Sequence, residues 1–154
     1  MKTPIIIKAL KGLNDLKFGA TKQEVEAILG KPNEVELIEG DEDFSDVEIW
    51  FFNEVECSVF FEKEFDDRCT NFETDDPSAM LFGKQIFQLS EEQIVALLKE
   101  NGYSDFEAEY NPEEEERLVS FFDAQIDFLF EGEKLVQVSW AVLIDDDENP
   151  VWPK

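Results

Sequence analysis

One pattern of residues that begin and end a helix occurs twice in this chain, about 69 residues apart. The first copy covers residues 16–30 and the second covers residues 85–98. A polar stretch and then aromatic-rich segments follow each copy. Self-similarity at a fixed period is the sequence signature of a repeated structural unit. The repeat therefore constrains the architecture of this chain more than any other feature of its sequence.

Both copies carry helix-start signals of the same kind. Thr21 with Glu24, and Ser90 with Gln93, have the spacing of a capping box, in which side chain and backbone satisfy each other at the helix start. Apolar residues then follow at helical spacing. In the first copy Gly30 fits the residue after the helix. The sequence predicts one helix in each copy.

Segments rich in β-branched and aromatic residues follow each predicted helix, and this composition favours strands. The predicted strands are residues 47–52, 55–62, 68–72, 118–122, 126–130 and 135–144. The repeat predicts an α+β fold of two tandem helix-plus-antiparallel-sheet units, with the helices packed on one face of the sheet. The two units, residues 1–76 and 77–154, are expected to form one compact domain overall.

Alternation along the predicted strands separates two faces of the sheet, because successive side chains point to opposite sides. We expect the helices to cover the apolar face and to leave a face where aromatic residues stand among acids and small polar residues. Such a mixture is common in binding surfaces. The predicted binding residues are Trp50, Phe52, Ser58 and Phe60 as contact anchors, and Glu48, Glu56 and Asp127 for charge complementarity. The alternative is that the aromatic residues are buried by the other copy or by loops.

The charge balance restricts the class of partner. The chain has 38 acidic and 13 basic residues, a formal net charge of −25, and hydrophobic residues make up 43% of it. That apolar share is enough for a packed core. The negative charge argues against binding nucleic acid or an anionic membrane, and it favours a basic protein partner. The other interpretation is an acidic surface that serves only solubility.

The inventory of reactive residues argues against an enzyme. The chain has no histidine, so it lacks the commonest general base and cannot form a Ser-His-Asp or Cys-His site. Two cysteines without histidine do not make a zinc site, and no pair among the many acids is singled out as catalytic. The acidic tail from Asp145 resembles the start of a calcium loop, but Pro150 stands at the glycine position. We expect no catalytic residues, no cofactor and no metal site.

The cysteines and the N-terminal segment bear on location. Cys57 alternates in phase with apolar neighbours and is expected in the core, and a bridge to Cys69 stays open. The apolar run within Met1 to Leu10 is too short for the core of a signal peptide. No apolar run approaches the length needed to span a membrane. These features predict a cytoplasmic protein that is not inserted in a membrane.

The segment Leu16 to Pro32, with its Phe-Gly-x-Thr-x-x-Glu-Val and Leu-Gly-x-Pro elements, resembles the opening of the β-lactamase-inhibitor-protein-like superfamily. That group includes small outer-membrane-assembly lipoproteins of the SmpA/OmlA type. The resemblance implies a helical segment packed on a small antiparallel sheet. In the tandem form of the family, it also implies a concave sheet surface that grips a protein partner.

These observations together predict a non-catalytic protein-binding module. By resemblance it would be an inhibitor or a toxin-immunity protein that acts through an open sheet face on a basic partner. One alternative is an acidic nucleic-acid mimic that blocks a DNA-binding protein. Another is a structural domain with no dedicated partner. The residues by themselves do not decide among these functions.

Overall fold

The computed structural model describes residues 4–43 and 45–153. Its helices are α1, Lys22–Leu29, and α2, Glu91–Glu100. Both predicted capping boxes are confirmed: the cap side chain accepts a hydrogen bond from the backbone three residues on, and that residue's side chain accepts one in return. Residues 1–3, within the segment tested above as a signal peptide, lie outside the described part.

The described residues form strands throughout the chain. In chain order they are β1 Ile6–Lys8, β2 Gly12–Leu13, β3 Leu16–Lys17, β4 Glu34–Ile38, β5 Val47–Phe52, β6 Cys57–Glu62, β7 Arg68–Thr74, β8 Met80–Leu81, β9 Lys84–Gln85, β10 Phe106–Asn111, β11 Glu116–Phe121, β12 Ile126–Glu131, β13 Lys134–Ala141, β14 Leu143–Ile144 and β15 Pro150–Val151. Eight of them form one antiparallel sheet in the order β10-β11-β12-β13-β7-β6-β5-β4. Five short strands form a second sheet, β3-β2-β1-β8-β9, and β14 pairs with β15.

This topology shows that the predicted fold class is wrong. The described chain is mostly β, and it does not consist of two helix-plus-sheet units. Strands from both predicted units join in one sheet, because β13 pairs with β7 with Trp140 opposite Phe72. The five-stranded sheet also draws on both, since β1 pairs with β8. A strand at the edge of a separate unit would leave backbone hydrogen-bonding groups unpaired, and joining the strands satisfies them.

The sequence did not predict strands β4 and β10, although they form the two edges of the eight-stranded sheet. All five residues of β4 are exposed, and β10 is exposed at every position except Phe106. Glutamate alternates with other residues in both strands. Glutamate is depleted in strands generally. Their composition therefore does not match the composition by which the other strands were predicted.

The eight-stranded sheet has a covered face and an open face. The covered face packs against both helices and the five-stranded sheet, and all of them share one cluster of buried residues. Contacts across this layer include Lys22 of α1 over the ring of Phe61, and the Trp140 Nε1–H, which donates to the carbonyl of Gly12 at 2.8 Å. The open face is the other side of the same sheet, and neither α1 nor α2 covers it; the short 3-10 helix Lys63–Phe65 lies at its border.

Both cysteines are buried in the shared cluster, and neither forms a disulfide bond. The expectation that Cys57 belongs to the core is therefore confirmed. Burial raises the pKa of the Cys69 thiol far above its usual value. A thiol held in its protonated form is a poor nucleophile, so this residue serves packing.

Candidate binding surface

Two of the predicted contact anchors lie on the covered face instead of the open face. Trp50 is opposite Val59 and Phe52 is opposite Cys57 in the antiparallel ladder. Directly opposite residues point to the same side of a sheet. Both aromatic side chains are buried, with exposures of 8% for Trp50 and 4% for Phe52. The sequence could not assign these faces from β5 alone, because both of its alternating sets contain apolar residues.

Glu48 also lies on the covered face, opposite Phe61. Its Oε1 lies 3.2 Å from Lys22 Nζ, and its Oε2 accepts a hydrogen bond from Trp50 Nε1 at 2.6 Å. The carboxylate is thus paired with a cation and hydrogen-bonded inside the protein. It ties α1 to the sheet, and it does not face the surface on which a partner was expected to bind.

The other predicted residues lie on or beside the open face. Ser58 and Phe60 of β6 point to it, and both are partly exposed. Asp127 of β12 is opposite Ser139 on the same side and is exposed. Glu56 occupies the turn between β5 and β6 with a φ of 48°, at the end of the face. Of the seven predicted binding residues, three therefore lie on the covered face and four lie on or beside the open face.

A groove of about 690 Å³ crosses the open face where β6, β7 and β13 lie side by side. Its floor contains the half-buried ring of Phe60 together with Asn71, Ser139 and Ala141. Its walls come from segments beyond the strand ends. They include residues of the segment between β4 and β5 and of the β14–β15 hairpin: Asp43, Ser45, Ile144 and Glu148. This volume is in the range of sites that take a small molecule or a few side chains.

The groove is lined by carboxylates without a matching cation. The acidic residues that line it are Asp43, Glu62, Glu64, Asp127 and Glu148, and none of its described lining residues is lysine or arginine. This differs from the covered face, where Glu48 and Glu91 each pair with a cation. Uncompensated negative charge in a partly enclosed site attracts cationic groups.

At Glu62, burial perturbs the carboxyl group more than the neighbouring negative charge does. Burial raises the pKa of its carboxyl group, and the negative charge of Glu64 raises it further. The hydroxyl of Thr70 offsets part of that rise. Both causes of the rise disfavour the ionised carboxylate. A cation beside Glu62 would oppose the rise in its pKa by favouring the ionised carboxylate.

Thr70 is the buried polar residue of the groove, with an exposure of 3%. The register between β6 and β7 shifts between Phe60 and Phe61, so Thr70 has no opposite residue in β6. This is a β-bulge, a feature that changes the direction in which a side chain points. The Thr70 hydroxyl acts on Glu62 as a hydrogen-bond donor that favours the ionised carboxylate, although no contact of Thr70 Oγ1 among the described residues meets strict hydrogen-bond geometry. Sequence reasoning missed Thr70, because a bulge leaves no signal in the alternation pattern.

A second depression of about 620 Å³ lies at the other end of the open face. Ser58, Glu73 and Gln137 line it, and the Gln137 amide donates a hydrogen bond to Glu73. Burial raises the pKa of Glu73, and the nearby Asp75 adds to this effect. Because Glu73 already has an internal donor, this depression offers a partner less than the groove does.

Among residues 4–43 and 45–153, no group of three or more cysteine, aspartate or glutamate residues has an arrangement that could hold a metal ion. In the same part of the chain no helix is long and apolar enough to cross a membrane. Comparison with protein-family models, with curated proteins and with solved structures gave no match.

Proposed function

We propose that this chain is a non-catalytic protein-binding module that recognises a basic partner through the open face of the eight-stranded sheet. The observation that carries the proposal is the groove, where an aromatic ring lies on the floor and carboxylates without a cation line the walls. An inhibitor or immunity protein that covers a basic surface of an enzyme or toxin is the form of module that we favour.

Two physical arguments support this role. Aromatic side chains contribute a disproportionate share of the energy of protein interfaces, and Phe60 is partly exposed on the groove floor. Complementary charge accelerates encounter and selects the partner, and the net charge of −25 would steer a basic protein toward this chain. Phe60 and the groove therefore assume the role that the sequence assigned to Trp50 and Phe52.

The proposal can be tested by affinity capture from native lysate with the full tagged chain, washed at low and at high salt. We expect one basic protein to remain on the wild-type chain at both salt concentrations. Phe60→Ala should lose it while its thermal unfolding midpoint stays close to that of the wild type. Tyr110→Ala is the matched control, because Tyr110 is 57% exposed and does not line the groove.

Other outcomes of this capture would contradict the proposal. A partner that is retained equally by Phe60→Ala and Tyr110→Ala does not use the groove floor. A DNA-binding protein that is lost completely at high salt, regardless of Phe60, would instead favour the nucleic-acid mimic, since contacts that imitate phosphates depend steeply on salt. Capture of no protein by the wild-type chain or by either variant would also count against a protein-binding function.

A further inference from the structure

We propose that β4, one edge of the eight-stranded sheet, binds an extended segment of a partner protein as an additional strand, and that this segment alternates apolar with basic residues. Of the residues of β4, only Ile38 also lines the groove, so this second surface goes beyond the proposed function. Its basis is an unpaired strand edge with exposed apolar side chains on one side and unpaired carboxylates on the other.

The backbone of β4 is open along its outer edge. Glu34–Ile38 pair with β5, and no described strand pairs with the other side of β4. All five residues are exposed, so no described helix or loop covers this edge. Such an edge presents N–H and C=O groups with which an extended peptide can form a sheet ladder.

The side of β4 that faces α1 is apolar and uncovered. Val35 lies opposite Trp50 and projects to the covered side of the sheet. Leu37, two residues along the strand, projects to the same side. Their exposed fractions are nevertheless 52% and 58%, and Ile28 of α1 is also half exposed. The packed layer therefore ends before the sheet does, and its margin offers apolar surface that an added strand would bury.

The other side of β4 carries negative charge without a partner. Glu34 lies opposite Phe51, so β5 supplies no cation to it. The same holds for Glu36, which lies opposite Ile49. Both glutamates are exposed, and neither forms an ion pair with a described residue. Opposite charges directly across a strand pair attract, so an added strand fits best with basic residues on this side and apolar residues on the other.

A second copy of this chain fits the edge poorly. Two antiparallel β4 strands centred on Glu36 would place Val35 opposite Leu37, but each Glu36 would then face its own counterpart, and like charges repel. Centring the pair on Leu37 would place Glu36 opposite the apolar Ile38 instead. Each copy also carries a net charge of −25, which opposes their association. A basic partner avoids both penalties.

The opposite edge, β10, lacks a comparable apolar side. Phe106 is already stacked on Phe121 with ring centroids 4.9 Å apart, and Lys99 Nζ lies over its ring at 5.8 Å. Ala108, which lies on the same side, offers little surface. The positive charge of Lys99 also disfavours a basic segment there. We therefore expect β4 to be the edge that binds.

The test is an NMR titration of the full ¹⁵N-labelled chain with the peptide acetyl-Lys-Val-Lys-Val-Lys-Val-amide, in about 0.15 M salt to screen distant charges. We expect saturable shifts of the amide signals of Val35 and Leu37, and none along β10. Two further peptides carry backbone N-methyl groups, one at each lysine and the other at each valine. Because alternate N–H groups of a strand point to opposite sides, one methylated peptide should still bind and the other should not. A peptide with glutamate in place of lysine should cause no saturable shift.

Variants then locate the site. Leu37→Ala should weaken the lysine-valine peptide about fivefold, because it removes apolar surface that the added strand buries. Tyr110→Ala on β10 is its matched control, since Tyr110 is 57% exposed and Leu37 is 58% exposed. Glu36→Gln should weaken binding about threefold through the loss of one exposed ion pair. Glu107→Gln is the control for it, because it removes the same charge from an exposed position on β10. The amide spectrum of each variant reports whether it folds.

Several results would overturn the inference. They are the absence of binding, shifts along β10 as large as those along β4, equal binding of the two methylated peptides, and equal effects of Leu37→Ala and Tyr110→Ala. Sedimentation of the chain alone should show a monomer. A dimer that Leu37→Ala abolishes would assign the edge to a second copy instead. The groove is tested separately by the capture with Phe60→Ala, so failure of the peptide to bind β4 leaves the proposed function standing.

Discussion

The two faces of the eight-stranded sheet carry similar residues, but they differ in whether the aromatic rings are packed and the carboxylates are paired with cations. On the covered face Trp50 and Phe61 meet edge to face with ring centroids 4.9 Å apart, and Glu48 is paired with Lys22. On the open face Phe60 is partly exposed, and the carboxylates around it have no cation among the groove's described lining. Aromatic content therefore did not distinguish the core from the candidate site. The completeness of charge pairing did.

The largest expected difference between the faces is in the stability lost when either of two neighbouring phenylalanines is replaced by alanine. Phe61 is fully buried, so Phe61→Ala should destabilise the protein by about 3–5 kcal/mol through the cavity it leaves. Phe60→Ala on the open face should cost about 1 kcal/mol or less, because solvent already reaches its ring. Urea denaturation of both variants measures the difference. Equal destabilisation would show that Phe60 also belongs to the core.

A smaller effect is expected where the covered face meets the five-stranded sheet. Trp140 is fully buried, and its Nε1–H donates to the Gly12 carbonyl across the layer. Trp140→Phe keeps a smaller aromatic ring and leaves that carbonyl without its donor, and the lost hydrogen bond should account for about 1–3 kcal/mol of the destabilisation. Denaturant unfolding would measure the loss. An unchanged unfolding midpoint would mean that this hydrogen bond does not couple the two sheets.

The helix that covers the second part of the sheet offers a third comparison. Ser90 caps α2 through the backbone N–H of Gln93. Ser90→Ala should lower stability by about 1 kcal/mol, since the cap satisfies a free backbone donor. Ser58→Ala, on the open face, is the matched control and should change stability by no more than about 0.5 kcal/mol. Thermal unfolding followed by circular dichroism would separate the two. Equal destabilisation by Ser90→Ala and Ser58→Ala would show that the Ser90 cap does not stabilise α2.

The smallest expected effect concerns pH and the open face. The pKa of Glu62 is raised by burial, so the folded state holds its proton more tightly than the unfolded state does. The stability contribution of Glu62 should therefore rise as pH falls from neutral through the raised pKa, and level off below the unfolded value of about 4.3.

Glu62→Gln removes the titrating carboxyl group and therefore this dependence of stability on pH. It should stabilise the protein slightly at pH 7, by about 0.5 kcal/mol or less, and the gain should vanish near pH 4. Thermal midpoints measured across this range, with Glu107→Gln as the control, would test it. A gain that persists unchanged at pH 4 would contradict the assignment of the effect to Glu62 ionisation.

Sequence reasoning succeeded where the relevant interactions are local. The capping boxes at Thr21 and Ser90 were predictable, because each joins residues three positions apart. Strands β5 and β6 were predictable in position from their composition. Their pairing was decisive for the site, since the alignment of Trp50 with Val59 decides which side each ring occupies. That alignment links residues from different strands, and β5 alone permitted either side.

Local sequence preference by itself determined the helix boundaries and the positions of most strands of the large sheet. The composition by itself determined the excess of acidic over basic residues. The tertiary structure decided that β13 pairs with β7, so that the two sequence repeats share one eight-stranded sheet. It also decided that Trp50 is core, and that Thr70, freed from pairing by a bulge, lies in the acidic groove. The physical reason is one of range. Caps and propensities act over a few residues, whereas strand register and charge pairing depend on groups that only the folded chain brings together.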